Sequence, residues 1–201
     1  MKVVTLNKDA FLKNCNTLLS TIDIQPDIVV GVLNGSYYIL NEAQKMYNLK
    51  SCNFQFIELK KSIGFKNYFI VRILLRFLPY FILNRLRVCE SKKVKKTKNK
   101  LDLNALIDYK LDFKWNKIPN NEIKNILIVD DAIDSGKTMF TVKNYLISRF
   151  PNSQIKTAVI SWTIETSIVK PDFYIFKNVL VRFPWSKDYK GKDFEQKSFS
   201  S

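Results

Sequence analysis

The segment Ile126–Thr138, ILIVDDAIDSGKT, gathers the residue types of a sugar-phosphate site into one short stretch. The apolar residues Ile126 to Val129 predict a buried strand that delivers two carboxylates, Asp130 and Asp131, to its end. Adjacent carboxylates there can grip the vicinal hydroxyls of a ribose. Asp134-Ser135-Gly136-Lys137-Thr138 then reads as a loop opening a helix. Backbone N–H groups at a helix N-terminus, with the Ser135 and Thr138 hydroxyls beside them, make a monophosphate cradle. Gly136 allows the backbone to come close to such a ligand. The GxxxxGK[ST] spacing of a Walker loop is missing, so the pattern is not that of a P-loop. Asp134 has two readings, a helix N-cap and a general base. The completeness of the surrounding motif favours the base.

Composition removes several alternatives. The chain has no histidine, which excludes Ser–His and Cys–His nucleophiles and histidine-based zinc sites. Proton transfer must fall to Asp, Glu, Lys or Tyr. With 33 Lys and Arg against 18 Asp and Glu, the net charge of +15 points to a polyanionic partner: a phosphorylated substrate, an anionic membrane or nucleic acid. Cys15, Cys52 and Cys89 are far apart and odd in number, as expected for thiols in a reducing cytoplasm. The N-terminal residues have no long apolar stretch of the signal-peptide type.

The elements that must carry the motif can be read around it. Asn7 can cap a helix to about Leu19, with Phe11, Cys15, Leu18 and Leu19 at helical spacing. Asp27–Leu33 is a β-branched apolar run ending at Asn34-Gly35-Ser36, and predicts a buried strand and a tight loop. A helix is expected over Tyr37–Tyr47, a strand over Phe54–Leu59, and a half-exposed strand over Tyr109–Trp115. A further helix is expected from Lys137 to Phe150, stopped by Pro151, followed by strands over Ile155–Trp162 and Phe173–Phe183. Strands and helices alternating in this way predict an α/β fold, a parallel sheet flanked by helices. The 201 residues are read as a single domain.

The segment resembles the signature of the type I phosphoribosyltransferases, in their hypoxanthine/xanthine–guanine branch. Two apolar residues, two acidic residues, three variable ones and Ser/Thr-Gly-x-Thr form that family's site for 5-phosphoribosyl 1-pyrophosphate (PRPP), and every position matches. Val32-Leu33-Asn34-Gly35-Ser36 is similar to the branch's pyrophosphate loop. Lys170-Pro171-Asp172-Phe173 is similar to the segment leading to its base-binding hood, and Phe183-Pro184-Trp185 to the ending of its bacterial and archaeal members. The resemblance implies a small C-terminal hood and direct displacement at the anomeric carbon, with Mg²⁺ as cofactor. Asp130 and Asp131 would hold the ribose and, largely through the substrate, the metal. Ser135, Gly136, Lys137 and Thr138 would hold the 5′-phosphate; Asn34, Gly35 and Ser36 would hold pyrophosphate. Asp134 would take the acceptor's proton.

The acceptor end departs from the branch. No lysine stands in Ile160–Glu165, where the branch places the reader of the purine 6-oxo group, and Val179, Leu180 and Val181 occupy the neighbourhood of its stacking aromatic. Acceptor contacts are therefore assigned only loosely, to Trp162, Lys170, Leu180 and Val181. Trp162 reads as a stacking ring or, more readily, as a core residue of a strand.

Residues 64–100, in the place of the family's mobile loop, form a basic apolar insertion. Phe69–Leu83 is apolar except for Arg72 and Arg76, too short and too charged for a transmembrane helix. Arg72, Arg76 and Arg87 fall on one helical stripe, Pro79 is expected to kink the helix, and Lys92, Lys93, Lys95, Lys96, Lys98 and Lys100 follow. Three roles stay open: contact of 68–100 with an anionic membrane, a homo-oligomer interface, or a helix covering an enlarged pocket.

Three functions follow: phosphoribosyl transfer to a 6-oxopurine in purine salvage, transfer to a membrane-bound lipid-linked glycan, or PRPP sensing by a nucleic-acid-binding regulator. No helix-turn-helix or RNA-binding motif is visible, which sets nucleic acid last. The expected location is cytoplasmic, with the inner face of the membrane as the alternative.

Overall fold

A computed structural model describes residues 1–32, 35–45, 49, 52–57, 78–98 and 123–191. The elements, in chain order, are β1 (Lys2–Thr5), α1 (Lys8–Ser20), β2 (Ile28–Val32), α2 (Ser36–Ala43), β3 (Asn53–Ile57), α3 (Tyr80–Lys98), β4 (Asn125–Ile133), α4 (Lys137–Arg149), β5 (Gln154–Trp162), β6 (Phe173–Lys177) and β7 (Val179–Arg182). Five parallel strands form one sheet in the order β3-β2-β4-β5-β6. Each central strand is apolar on both faces because helices cover both. Val29, Leu127, Val129, Ala158 and Ile160 pack with Phe11, Leu18, Ile39 and Leu40 of α1 and α2. Ile28, Val30, Ile126, Ile128 and Val159 pack with Met139, Val142 and Leu146 of α4. This is the α/β architecture expected from the strand–helix alternation.

Local chemistry sets the helix ends. Asn7 caps α1, its Oδ1 accepting from the Ala10 N–H at 2.9 Å. Pro79 does not kink a helix. It stands immediately before α3, and its carbonyl accepts from the Ile82 and Leu83 N–H groups at 3.0 and 3.2 Å. A proline at a helix start removes no intrahelical hydrogen bond, so the residue that would break a helix interior opens this one.

Other boundaries differ from the sequence reading. The strand carrying the acidic pair does not stop at Val129 but runs to Ile133, because the equally long β5 supplies partners as far as Ile133↔Trp162. The strand expected over 173–183 is two strands. Asn178, at φ 57°, takes the left-handed conformation that asparagine tolerates and breaks the run. β6 stays in the main sheet, while β7 leaves it to pair in parallel with β1. The hood thus uses the N-terminal residues as well as the C-terminal ones. The helix after β2 ends at Ala43 rather than Tyr47. The strand expected over Tyr109–Trp115 lies outside the described residues, as do Arg72, Arg76 and Lys100. Among the described residues no helix is long and apolar enough to cross a membrane.

Candidate active site

The strand order reverses between β2 and β4, and the crevice of an open parallel sheet lies beyond the carboxyl ends of such a pair. Gly35, from the loop after β2, and Asp131, from β4, meet there. A Cβ built on Gly35 would lie 1.9 Å from Asp131 Oδ2, so only glycine allows this approach. The N-terminus of α2 starts at Ser36, whose hydroxyl donates to the Val32 carbonyl at 2.6 Å. That leaves backbone N–H groups, rather than the Ser36 side chain, to face a ligand. Asn34 lies outside the described residues.

Asp131 is tied down from the hood. The Trp185 indole N–H donates to its Oδ2 at 3.1 Å. Trp185 in turn stacks on Phe183 (4.9 Å between ring centroids) and Tyr38 (4.6 Å) and meets Phe11 edge-on. Desolvation raises the Asp131 carboxyl above its ordinary range; the Trp185 hydrogen bond opposes this and the charge of Asp134 adds to it. Asp130 accepts from the Asp131 N–H at 2.8 Å.

The loop from Asp134 to Thr138 is held by its backbone. Gly136, at φ 84°, is the N-cap of α4, so Asp134 does not cap that helix, and a Cβ on Gly136 would lie 2.9 Å from the Val169 nitrogen. Conformation and space both demand glycine. The Ile168 N–H donates to the Ser135 carbonyl at 2.9 Å, and the Lys137 N–H to Ser135 Oγ at 3.4 Å. Lys137 and Thr138 occupy the first turn of α4, whose open N–H groups and positive dipole end suit an anion.

Beside this loop is a cavity of about 360 Å³, with Asp134 on its wall. The base of the α3 helix supplies Leu83, Leu86 and Arg87 to it, and the next turn Glu90 and Ser91. Ile164, Leu180 and the run Ser186-Lys187-Asp188 are the other described residues on its wall. Helix α3 is pinned in place by a buried ionic cluster. Arg182, 1 % exposed, donates to Asp188 Oδ2 (2.9 Å), Thr5 Oγ1 (2.8 Å) and Asn84 Oδ1 (2.8 Å), and its guanidinium lies 4.5 Å from the Tyr80 ring centre. Arg87 pairs with the same carboxylate through Nε (2.8 Å) and NH2 (2.5 Å) and donates to the Val181 carbonyl (3.0 Å).

Several assignments change as a result. Arg87 faces the hood, where Asp188 pairs with it. Trp162 takes the core position on its strand. It is 5 % exposed within the core, donates from its indole to Ser167 Oγ at 2.9 Å, and does not line the cavity. Lys170 is exposed and away from the lining, and Val181 is buried in the core, its carbonyl taken by Arg87. Leu180 does line the cavity. The sequence reading missed Trp185 as the partner of Asp131, and Asp188, Arg182 and Thr5 as the anchor of α3. A signal for the last was present: an arginine in an otherwise apolar strand, VLVR, needs a buried acceptor.

Among the described residues no three His, Cys, Asp or Glu side chains converge to cage a metal. The acidic pair still fits Mg²⁺, which is commonly held by one or two carboxylates together with substrate phosphates.

The chain matches the phosphoribosyl transferase domain over residues 5–189. Its structure is similar to a purine phosphoribosyltransferase from Pyrococcus horikoshii Ot3, with TM-score 0.57 and 18% identity over 92% of this chain and 95% of that one. It is also similar to the xanthine–guanine–hypoxanthine phosphoribosyltransferase of Helicobacter pylori, with TM-score 0.55 and 15% identity over 92% and 94%. A hypothetical protein from Neisseria gonorrhoeae with bound ppGpp gives TM-score 0.54 and 14% identity over 97% and 93%. No curated protein matches the chain.

Proposed function

The chain belongs to the phosphoribosyl transferase domain family, as a PRPP-dependent phosphoribosyltransferase, and we propose that its acceptor is a 6-oxopurine base, as in purine salvage. One observation carries the reading: Asp134 lies both at the start of the phosphate-type loop and on the wall of the 360 Å³ cavity. One residue therefore faces donor and acceptor at once. The cavity is of the size usual for small-molecule sites.

In the proposed reaction Ser135, Gly136, Lys137 and Thr138 hold the 5′-phosphate through backbone N–H groups and hydroxyls. Asp130 and Asp131 hold the ribose hydroxyls, with Trp185 fixing the orientation of Asp131. The N-terminus of α2, at Gly35 and Ser36, faces the pyrophosphate, with Asn34 assigned to the same loop. The acceptor nitrogen bonds to the anomeric carbon as the bond from that carbon to the pyrophosphate oxygen breaks. Asp134 accepts the proton the nitrogen gives up. Mg²⁺, when bound with PRPP, neutralises charge on the leaving pyrophosphate.

A second reading keeps the donor and moves the phosphoribosyl group to a hydroxyl of a lipid-linked glycan at a membrane. Two observations favour it: among the described residues no aromatic ring lines the cavity, and α3 carries Phe81, 65% exposed, on the same helix as the exposed Arg85, Lys92 and Lys93. Pyrophosphate release with PRPP and hypoxanthine, guanine or xanthine separates the two. The 6-oxopurine reading expects release with at least one base. No release with any of them, together with flotation on anionic vesicles that is lost in Phe81→Glu, would replace it with the membrane reading.

A further inference from the structure

The branch's carbonyl-reading lysine is missing from 160–165, yet the cavity is not without groups that could read a base. Its wall carries three charged side chains of α3 and the residues after β7 that matter here: Arg87, Glu90 and Lys187. The Arg87 guanidinium is committed, with Nε and NH2 on Asp188 and NH1 on the Val181 carbonyl. Glu90 has no hydrogen-bond or ion-pair partner among the described residues. Lys187 follows the Phe183-Pro184-Trp185 element directly, on the same short segment that ties Asp131 through Trp185 and α3 through Asp188. The aliphatic side chains of Leu83, Ile164 and Leu180 supply apolar cover in place of an aromatic stack.

We propose that Glu90 and Lys187 are the specificity-determining pair for the acceptor, with Lys187 donating to the 6-oxo group and Glu90 accepting from the neighbouring N1–H and 2-amino group. The inference rests on the 6-oxopurine reading and narrows it: the preferred acceptor carries a 2-amino group. Chemical complementarity is the reason. A cation suits a carbonyl oxygen, and a carboxylate with two acceptor oxygens suits two adjacent N–H donors. The geometry also assigns a role to the insertion. Helix α3 brings a carboxylate to the cavity, and the Arg182–Asp188–Arg87 cluster holds that helix against the hood. Glu90 thus reaches the cavity wall on a helix that this cluster holds.

Product nucleotides test this without relying on turnover, because GMP and IMP differ only at the 2-amino group, and IMP and AMP at the 6-substituent and N1. Calorimetric affinities of GMP, IMP and AMP are measured for the full chain and for Glu90→Gln and Lys187→Met. Wild type is expected to bind GMP about tenfold tighter than IMP, and IMP about tenfold tighter than AMP, as a paired polar contact typically discriminates. Glu90→Gln should collapse the GMP/IMP ratio and also narrow IMP/AMP, because AMP lacks the N1–H; Lys187→Met should narrow IMP/AMP and leave GMP/IMP. Equal binding of the three by wild type, or ratios that neither substitution moves, would overturn the assignment. If PRPP binds and no purine nucleotide does, the 6-oxopurine reading fails and the pair fails with it. If PRPP does not bind either, the fault lies with the donor site.

Discussion

Asp134→Asn is expected to lower turnover by roughly 10²- to 10⁴-fold, the usual contribution of a positioned general base, while leaving PRPP affinity nearly unchanged. The substitution keeps size and a hydrogen-bond acceptor but removes the group that takes a proton. The N-cap of α4 is Gly136, with no side-chain cap bond, so the helix start does not depend on Asp134 and a folding defect does not confound the result. The two readings of Asp134 thus predict different outcomes. If Asp134 does not take the proton, Asp134→Asn retains activity. If it is the base, Asp134→Asn loses kcat with little change in the KM for PRPP. Steady-state kinetics beside a thermal melt distinguish them. The Asp134 charge also contributes to raising the Asp131 carboxyl, so Asp134→Asn should let Asp131 ionise at lower pH.

Asp188→Ala is expected to cost about 3–5 kcal/mol, because it removes the carboxylate from between two guanidinium groups and leaves a buried charge uncompensated. Arg182 is 1 % exposed and cannot turn to water without breaking its bonds to Thr5 and Asn84. For a chain of this length the melting temperature should fall by roughly 6 to 20 °C. The same cluster predicts a pH dependence. Desolvation pushes the Asp188 carboxyl up, but the hydrogen bonds and charges of Arg87 and Arg182 outweigh it and hold the group below its ordinary value. A carboxyl depressed in the folded state contributes stability that is present above its unfolded value, about pH 3.9, and is lost as pH falls through the folded value. Wild type should therefore retain this contribution down to about pH 4 and lose it below, whereas the difference between wild type and Asp188→Ala should shrink in that same acidic window. A melt of Asp188→Ala within 1 °C or so of wild type at pH 7 would show that the cluster does not anchor α3.

How far the sequence reached depended on how local each feature is. The strand and loop from Ile126 to Thr138 were legible because apolar run, acidic pair and glycine lie together, and each has its own backbone logic. Gly136 is the clearest case: its positive φ and its contact with 168–169 are what a glycine at that point of the motif implies. The Asn7 cap was legible for the same reason. Long-range partners were not. Trp185 reaches Asp131 from 54 residues away, and Arg182 joins Thr5 across 177. Nothing in the local pattern says which carboxylate a tryptophan will meet. Strand ends were set by neighbours: β4 is long because β5 is long, and β6 and β7 separate because Asn178 adopts a turn conformation. The direction of Arg87 was not legible, because a helical wheel ranks faces by composition and the carboxylate that Arg87 meets, Asp188, is 101 residues away. The insertion shows the same limit. Its composition allowed a membrane, a subunit or a pocket lid, and the part described, α3, stands on the cavity wall.

In the proposed function the loop between β4 and α4 binds a phosphorylated ribose pyrophosphate. Isothermal calorimetry of PRPP in the presence of Mg²⁺ tests it directly, with Gly136→Ala as the control, since a Cβ there would meet the backbone of residues 168 and 169. The expected result is one PRPP bound per chain, with binding abolished or strongly weakened in a Gly136→Ala protein that still folds. Absence of PRPP binding to wild type, or undiminished binding by the folded variant, would contradict it.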